Sequence, residues 1–487
     1  MHLNILVPGS FIMHGKNDRK LGFAGLVGVS AGSAVASGIF AFPGDFAAAG
    51  AGTAAVLTGW LTAGAGMLAV VMCFFGLGET APKLNGGIYF YAKEGFGKCA
   101  GFYTVWSYWL SALFGNLSFL SLLAVSVSYF LPQGSKAAVL IGQSLFIWCV
   151  AAVLLKGTEY AAKVNLMVAA AKLIPIAAFA AAVVFFRAFD FNIFMDNFFG
   201  QDTGYSMLHQ IKATTGISLW AFVGIEGAAA VSARARYPKD VGRAIAVSFV
   251  CVLLIYLLVS VLSMGVMTRQ ELASLGNPPL AYVFEKAAGK AGAVIINAGV
   301  ILALGGAYLG YNLLASECMA ASARQGAFSF FFARASRNGS PAAAVLVTCG
   351  AIQLLTIVFT MTGASYQNIY EIAARLCAPV YLMSAAYYLK LCVMREKRSA
   401  MQCIIAAAGT LYGLYMMYAL GFGEVFTLGI FLAPGTVLHI SAQKEKNQRI
   451  LESTADKLLI GAVILIFAVS VCLTAAGVTA PLFRWPL

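Results

Sequence analysis

The sequence predicts an all-α integral membrane protein of about 12 or 13 spanning helices, and three observations carry that prediction. Of 487 residues, 61% are hydrophobic and only 10% are charged, against about 25% charged in an ordinary soluble domain. The apolar residues gather in runs long enough to cross a bilayer, which takes about 20 residues per helix. Lys and Arg then alternate in density between successive connections, as the positive-inside rule requires of a multi-pass chain. The same figures exclude a soluble globular enzyme, a disordered chain and, with no Gly-X-Y period, a fibrous protein.

Thirteen candidate spans follow in order: 21–48, 53–77, 100–131, 137–155, 161–186, 211–233, 241–267, 291–321, 341–360, 369–393, 400–420, 425–441 and 458–478. With the N-terminus inside, 23 of the 32 Lys and Arg fall on the cytoplasmic side and seven on the outer side. A wrong number of spans would scramble that alternation. Residues 1–20 read polar and basic, without a small-residue cleavage site, and form a cytoplasmic N-terminal segment ahead of the first span. The net charge of +13 therefore records orientation toward anionic headgroups of the lipid bilayer, and no nucleic-acid partner is expected. The outer loop before the sixth span is acidic, with Asp190, Asp196 and Asp202; it either concentrates cations or is simply solvated.

Ten cysteines lie mostly within apolar runs and show no CxxC or Cys/His spacing, so neither a disulfide framework nor a metal site is expected. The four histidines, His2, His14, His209 and His439, are scattered or terminal and form no nucleophile-base pair. No enzymatic activity and no cofactor are expected.

The two remaining basic residues, Lys172 and Arg375, fall inside predicted spans, as do Glu226, Glu317 and, at a margin, Glu371. A charge at the bilayer centre costs at least ~2.5 kcal/mol, which makes each a functional-site candidate. A buried ion pair, or a side chain reaching to the interface, is the competing account.

Two spans are interrupted. In the first, Gly28, Gly32, Ser33, Ser37 and Gly38 crowd the middle of the run and Pro43 follows. Small residues and proline weaken a helix, and unwound backbone at membrane depth is tolerated only where it lines a cavity. The sixth span repeats the feature at Gly224-Ile225-Glu226-Gly227, after Trp220 and Phe222. Breaks at corresponding places in two halves point to the substrate site of an inverted-repeat transporter. Freed N–H groups at the positive end of a half-helix suit a carboxylate. Close helix packing through small residues would give the same glycine pattern.

The string Ala36-Ser37-Gly38-Ile39-Phe40 with Pro43 resembles the first-helix motif of the amino acid-polyamine-organocation superfamily. Residues 220–227, with Ser232 to Arg236 and Lys239 to Arg243 after them, are similar to the sixth helix and next loop of its basic amino acid/polyamine antiporters, notably the arginine/agmatine and arginine/ornithine exchangers. Gly86-Gly87-Ile88-Tyr89 with Tyr91, Gly95, Phe96 and Gly97, together with Asn116 and residues 313–326, fits the same family. The resemblance runs from about 21 to 391.

It implies a leucine-transporter-type fold of two inverted five-helix repeats, 21–187 and 209–393, followed by two or three extra helices within 400–487. It implies substrate contacts at Ser37, Gly38 and Ile39 for a carboxylate and at Trp220 for a cationic side chain, joined by Tyr108, Asn116, Ile225 and Tyr311. Glu226 takes a gating and coupling role. Lys172 resembles a fifth-helix lysine standing where sodium-coupled relatives bind a cation, so transport is expected to be independent of sodium. Ala36 departs from the family's first motif glycine, and Ser33 from its frequent Asn.

The expected activity is exchange of L-arginine for a derived cation in a bacterial inner membrane. Agmatine is preferred because an aromatic stack favours the planar guanidinium. Ornithine exchange, and a proton-coupled symporter with Glu226 or Lys172 as carrier, remain alternatives. The partners are then a small cationic amino acid or amine and the lipid bilayer, with a homodimer left open.

Overall fold

A computed structural model describes Phe23, Val27, Val35 and residues 37–80, 88–131, 135–156, 172–224, 239–336, 339–394, 399–421, 428–447 and 453–476. Among these there are seventeen α-helices and no strand. They are α1 (Gly38–Ala48), α2 (Thr53–Thr80), α3 (Ile88–Phe96), α4 (Lys98–Ser128), α5 (Lys136–Lys156), α6 (Leu173–Phe185), α7 (Phe191–Asp196), α8 (Met207–Phe222) and α9 (Lys239–Val266). The second half of the chain supplies α10 (Arg269–Ser274), α11 (Pro279–Ala288), α12 (Lys290–Arg324), α13 (Ala342–Thr362), α14 (Tyr366–Met394), α15 (Ala400–Ala419), α16 (Gly429–Glu445) and α17 (Thr454–Ala475).

Nine of these helices are long and apolar enough to cross a membrane: α2, α4, α5, α9 and α12 to α15, with α17. They coincide with nine of the thirteen predicted spans. The other four runs correspond to shorter described helices, α1, α6, α8 and α16. Among the described residues three helices follow α14, in line with the two or three C-terminal additions expected.

Burial separates the centre of the bundle from its rim. The apolar window of α4 is 72% buried and that of α12 61%, whereas those of α5 and α15 are 28% and that of α17 is 17%. With lipid outside, a rim helix keeps apolar side chains on its outer face, as Leu145 on α5, Leu411 on α15 and Leu465 on α17 do. Inside, small polar groups join the helices. The hydroxyls of Ser107 and Ser111 on α4 donate to the carbonyls of Leu376 and Ala373 on α14 at 2.6 and 2.7 Å, the kind of short interhelical contact that small residues permit in a membrane.

A second knot ties α1, α2, α8 and α9. Trp60 stacks on Tyr256 with centroids 5.0 Å apart and meets Phe46 and Phe222 edge-on. Its indole N–H donates to Ser260 Oγ at 3.0 Å. The ring cluster fixes the stub of α1 against the end of α8, which is what positions the candidate site.

Between α9 and α12 the chain forms two short helices that the span pattern did not contain. α10 starts with a capping box in which Thr268 and Glu271 each satisfy the other's backbone. At six and ten residues, these helices are too short to cross a bilayer and lie across the mouth of α1.

Candidate functional site

Two helix ends face each other at the centre. α1 begins at Gly38, directly after Ser37. The first N–H groups of a helix have no intrahelical partner, so Gly38 and Ile39 stand where backbone donors are in surplus. Pro43 lies inside α1; lacking an N–H, it leaves the Ile39 carbonyl without its helical donor. The helix therefore starts ahead of the proline and passes through it. α8 ends at Phe222, and Gly224 takes φ +99°, a conformation open to glycine and costly to residues with a Cβ. The N–H of Gly224 donates to the Tyr381 hydroxyl at 3.3 Å, and the Tyr256 hydroxyl donates to the Ala221 carbonyl at 3.3 Å. Neighbouring tyrosines thus serve backbone groups that the break releases.

Ser37 joins the two ends. Its side chain is buried, and its Oγ accepts from Trp220 Nε1 at 3.4 Å and from the Tyr366 hydroxyl at 2.7 Å. Trp220, 4% exposed, lies nearly parallel to Tyr370, with centroids 5.9 Å apart and 15° between planes. The Tyr370 hydroxyl donates to Asp45 Oδ2 on α1 at 2.8 Å.

On the other side, Phe119 of α4 meets both Trp220 and Tyr311 at 6.1 and 5.6 Å. Gly115 makes this approach possible: a Cβ there would lie 3.0 Å from Trp220 and 3.0 Å from Tyr311. Tyr311 also approaches Gly224, reaching 3.2 Å from where its Cβ would stand. Next to Gly115, Asn116 is fully buried, and neither its amide nitrogen nor its oxygen has a partner among the described residues. A buried polar group left unmatched costs about 1–3 kcal/mol, so this amide holds unused donor and acceptor capacity at the centre of the bundle.

Of the candidates from the sequence, Ser37, Gly38, Ile39, Asn116, Trp220 and Tyr311 converge around the two breaks. Tyr108 is buried on α4, about 12 Å along the helix axis from Asn116. Lys172 is 2% exposed and stands at the start of α6, whose Pro175 packs on Gly299 of α12. Ile225 and Glu226 lie outside the described residues. Arg375 pairs with Glu371 at 3.0 Å, one turn apart on α14, a partner that the sequence left open. Asp202 in the acidic loop binds Arg269, whose guanidinium also reaches the Ala47 carbonyl at the end of α1. Asp190 accepts from Asn192 N–H and caps α7. These two acids of the loop therefore hold structure together.

Three residues of the centre escaped the sequence reading: Asp45, Tyr366 and Tyr370. Asp45 is a lone acid in an apolar run, and the two tyrosines stand four apart at the start of α14. Both signals were present in the sequence.

Two helix ends that meet around a buried centre of aromatic rings and an amide unmatched among the described residues, inside a bundle of membrane-length helices, fit a multi-pass transporter. Comparison with known proteins agrees. The described fold matches that of a nucleobase-cation-symport-1 family transporter solved in a closed conformation with bromovinylhydantoin bound, with TM-score 0.54 and 15% identity over 91% of this chain and 97% of that one. The architecture is the leucine-transporter type, two five-helix repeats followed by additional C-terminal helices. The family model for amino acid permeases matches residues 21–433, and the chain belongs to that family. It is 34% identical over 471 residues to the arginine/ornithine antiporter of Pseudomonas aeruginosa, covering 93% of this chain and 97% of that protein. It is 32% identical over 448 residues to the arginine/agmatine antiporter of Chlamydia pneumoniae, covering 89% and 92%.

Proposed function

We propose that this permease is an antiporter that exchanges L-arginine for a derived cation, agmatine before ornithine, across a bacterial inner membrane, with its N-terminus in the cytoplasm. Residues 21–187 and 209–393 form the two repeats in this reading. The observation that carries it is the Ser37–Trp220 contact, which brings the start of α1 and the end of α8 to one point. The substrate carboxylate takes the N–H groups of Ser37, Gly38 and Ile39, where the helix dipole favours negative charge. The guanidinium lies on the face of Trp220 opposite Tyr370, and the Asn116 amide oxygen accepts one of its N–H groups. Phe119 and Tyr311 wall the side chain, Ile225 completes the surroundings, and Glu226 couples occupancy to the gate.

Agmatine lacks the carboxylate but keeps the guanidinium, so the aromatic stack is the contact that both substrates share. Ornithine keeps the carboxylate and would rest on the backbone donors instead. Exchange needs only that a bound cation lower the barrier between inward and outward states.

The test is calorimetric titration of Trp220→Leu with arginine, agmatine and ornithine. Loss of a desolvated cation-π contact, about 2 kcal/mol, weakens arginine and agmatine roughly thirtyfold and ornithine less. Unchanged arginine affinity would remove the stack from the account. Tighter wild-type binding of ornithine than agmatine would reverse the preference.

A further inference from the structure

The far end of the bundle holds a cavity that the transport site does not use. α12 runs 35 residues, about 52 Å, from the end near α10 and α11 to Arg324. Just beyond it, a small cavity of about 90 Å³ is lined by Lys93 of α3, Lys98 at the start of α4, Gly326, and His439 and Gln443 of α16. The Lys446 ammonium lies against Gly326, 2.5 Å from where a Cβ would stand. Two lysines from two helices thus line one small space, with a third beside its Gly326 wall.

We propose that this cavity binds a single phosphate group. His439 is 1% exposed and Gln443 is 3% exposed. His439 Nδ1 and Gln443 Oε1 both lack a partner among the described residues. The other nitrogen of His439 lies 3.5 Å from Cys99 Sγ. With the thiol donating to Nε2, the neutral ring carries its hydrogen on Nδ1 and offers a donor to an oxyanion. Gln443 Nε2 donates to the Gly326 carbonyl at 3.4 Å, which leaves Oε1 as an acceptor for a lysine ammonium or for the P–OH of a monohydrogen phosphate.

Two nearby acids serve backbone groups. Asp456 accepts from the N–H groups of Cys99 and Ser453 at 3.3 and 3.1 Å, capping α4. Glu445 accepts from the Phe330 N–H at 3.3 Å. A cavity of about 90 Å³ is small enough to suit a single phosphate group. The phosphate comes from the headgroup of an anionic lipid or from free inorganic phosphate.

The experiment uses the full chain in detergent, titrated with inorganic phosphate at constant ionic strength. In parallel, native mass spectrometry follows incubation with phosphatidylglycerol or phosphatidylcholine. The wild type should take up one phosphate saturably, or retain one phosphatidylglycerol in preference to phosphatidylcholine. Phosphate uptake alone assigns the free ion; phosphatidylglycerol retention alone assigns the lipid. The Lys93→Gln/Lys98→Gln variant should bind at least tenfold more weakly, and Lys93→Arg/Lys98→Arg should restore binding, with monodisperse elution as the control for folding. Should the double glutamine variant aggregate, Lys98→Gln alone gives the same comparison. Absence of both forms of binding in the wild type, or equal affinity in a folded glutamine variant, would overturn the proposal.

Discussion

Tyr370 lies parallel to Trp220 at 5.9 Å and gives its hydroxyl to Asp45, so the aromatic nearest the two helix breaks is backed by a buried carboxylate. Tyr370→Phe keeps the stack but strips Asp45 of that donor. Hydrogen bonds to charged groups contribute about 1.5–3 kcal/mol, and the midpoint of thermal unfolding should fall accordingly. Asp45→Asn retains an acceptor oxygen and should fall less. The reverse order of the two variants would show that the hydroxyl is not what holds the carboxylate.

Gly115 is the point where α4 allows Trp220 and Tyr311 to approach. Gly115→Ala places a methyl group 3.0 Å from both rings, closer than ordinary contact, and overpacking of this kind costs about 1–3 kcal/mol. We expect arginine to bind about tenfold more weakly by calorimetry, a step of about 1.4 kcal/mol. Full wild-type affinity would mean that the two rings do not frame the substrate.

The acidic loop ahead of α8 carries a pH signature. Hydrogen bonding from Arg269 holds the Asp202 carboxyl below its ordinary value of 3.8. A depressed carboxyl stabilises the fold above its unfolded pKa, and that contribution is lost as pH falls through the folded value. Wild-type thermal stability should therefore decline below about pH 4. Asp202→Asn should be less stable at pH 7 and lose less on acidification, as read by unfolding midpoints at both pH values. Parallel curves would leave the pair without influence.

Lys172, 2% exposed at the start of α6, stands in the proposed account where a coupling cation would bind in sodium-driven relatives. Arginine uptake should be the same in sodium chloride and choline chloride. A clear rise with external sodium would contradict that role.

The spans were legible because bilayer depth demands long apolar runs, and α4 and α12 follow theirs closely. The breaks were legible because Gly38 and Gly224 stand where apolar side chains would otherwise sustain a helix. Ser37 and Trp220 followed from them, although their mutual hydrogen bond is tertiary and leaves no local trace. Asp45 was legible as an acid within the first predicted span and was passed over, while its tyrosine partner is a tertiary contact with no local trace. Tyr366 and Tyr370 read as ordinary aromatics of a span, since only the approach of α14 to α1 gives their hydroxyls partners. α10 and α11 escaped because helices that do not cross a membrane need no long apolar stretch.

The central claim is obligatory exchange of arginine for a derived cation. It is tested most directly by uptake of labelled arginine into proteoliposomes preloaded with agmatine, with ornithine or with buffer alone. The account predicts rapid uptake against agmatine, slower uptake against ornithine and almost none into empty vesicles. Equal uptake into empty vesicles would contradict it.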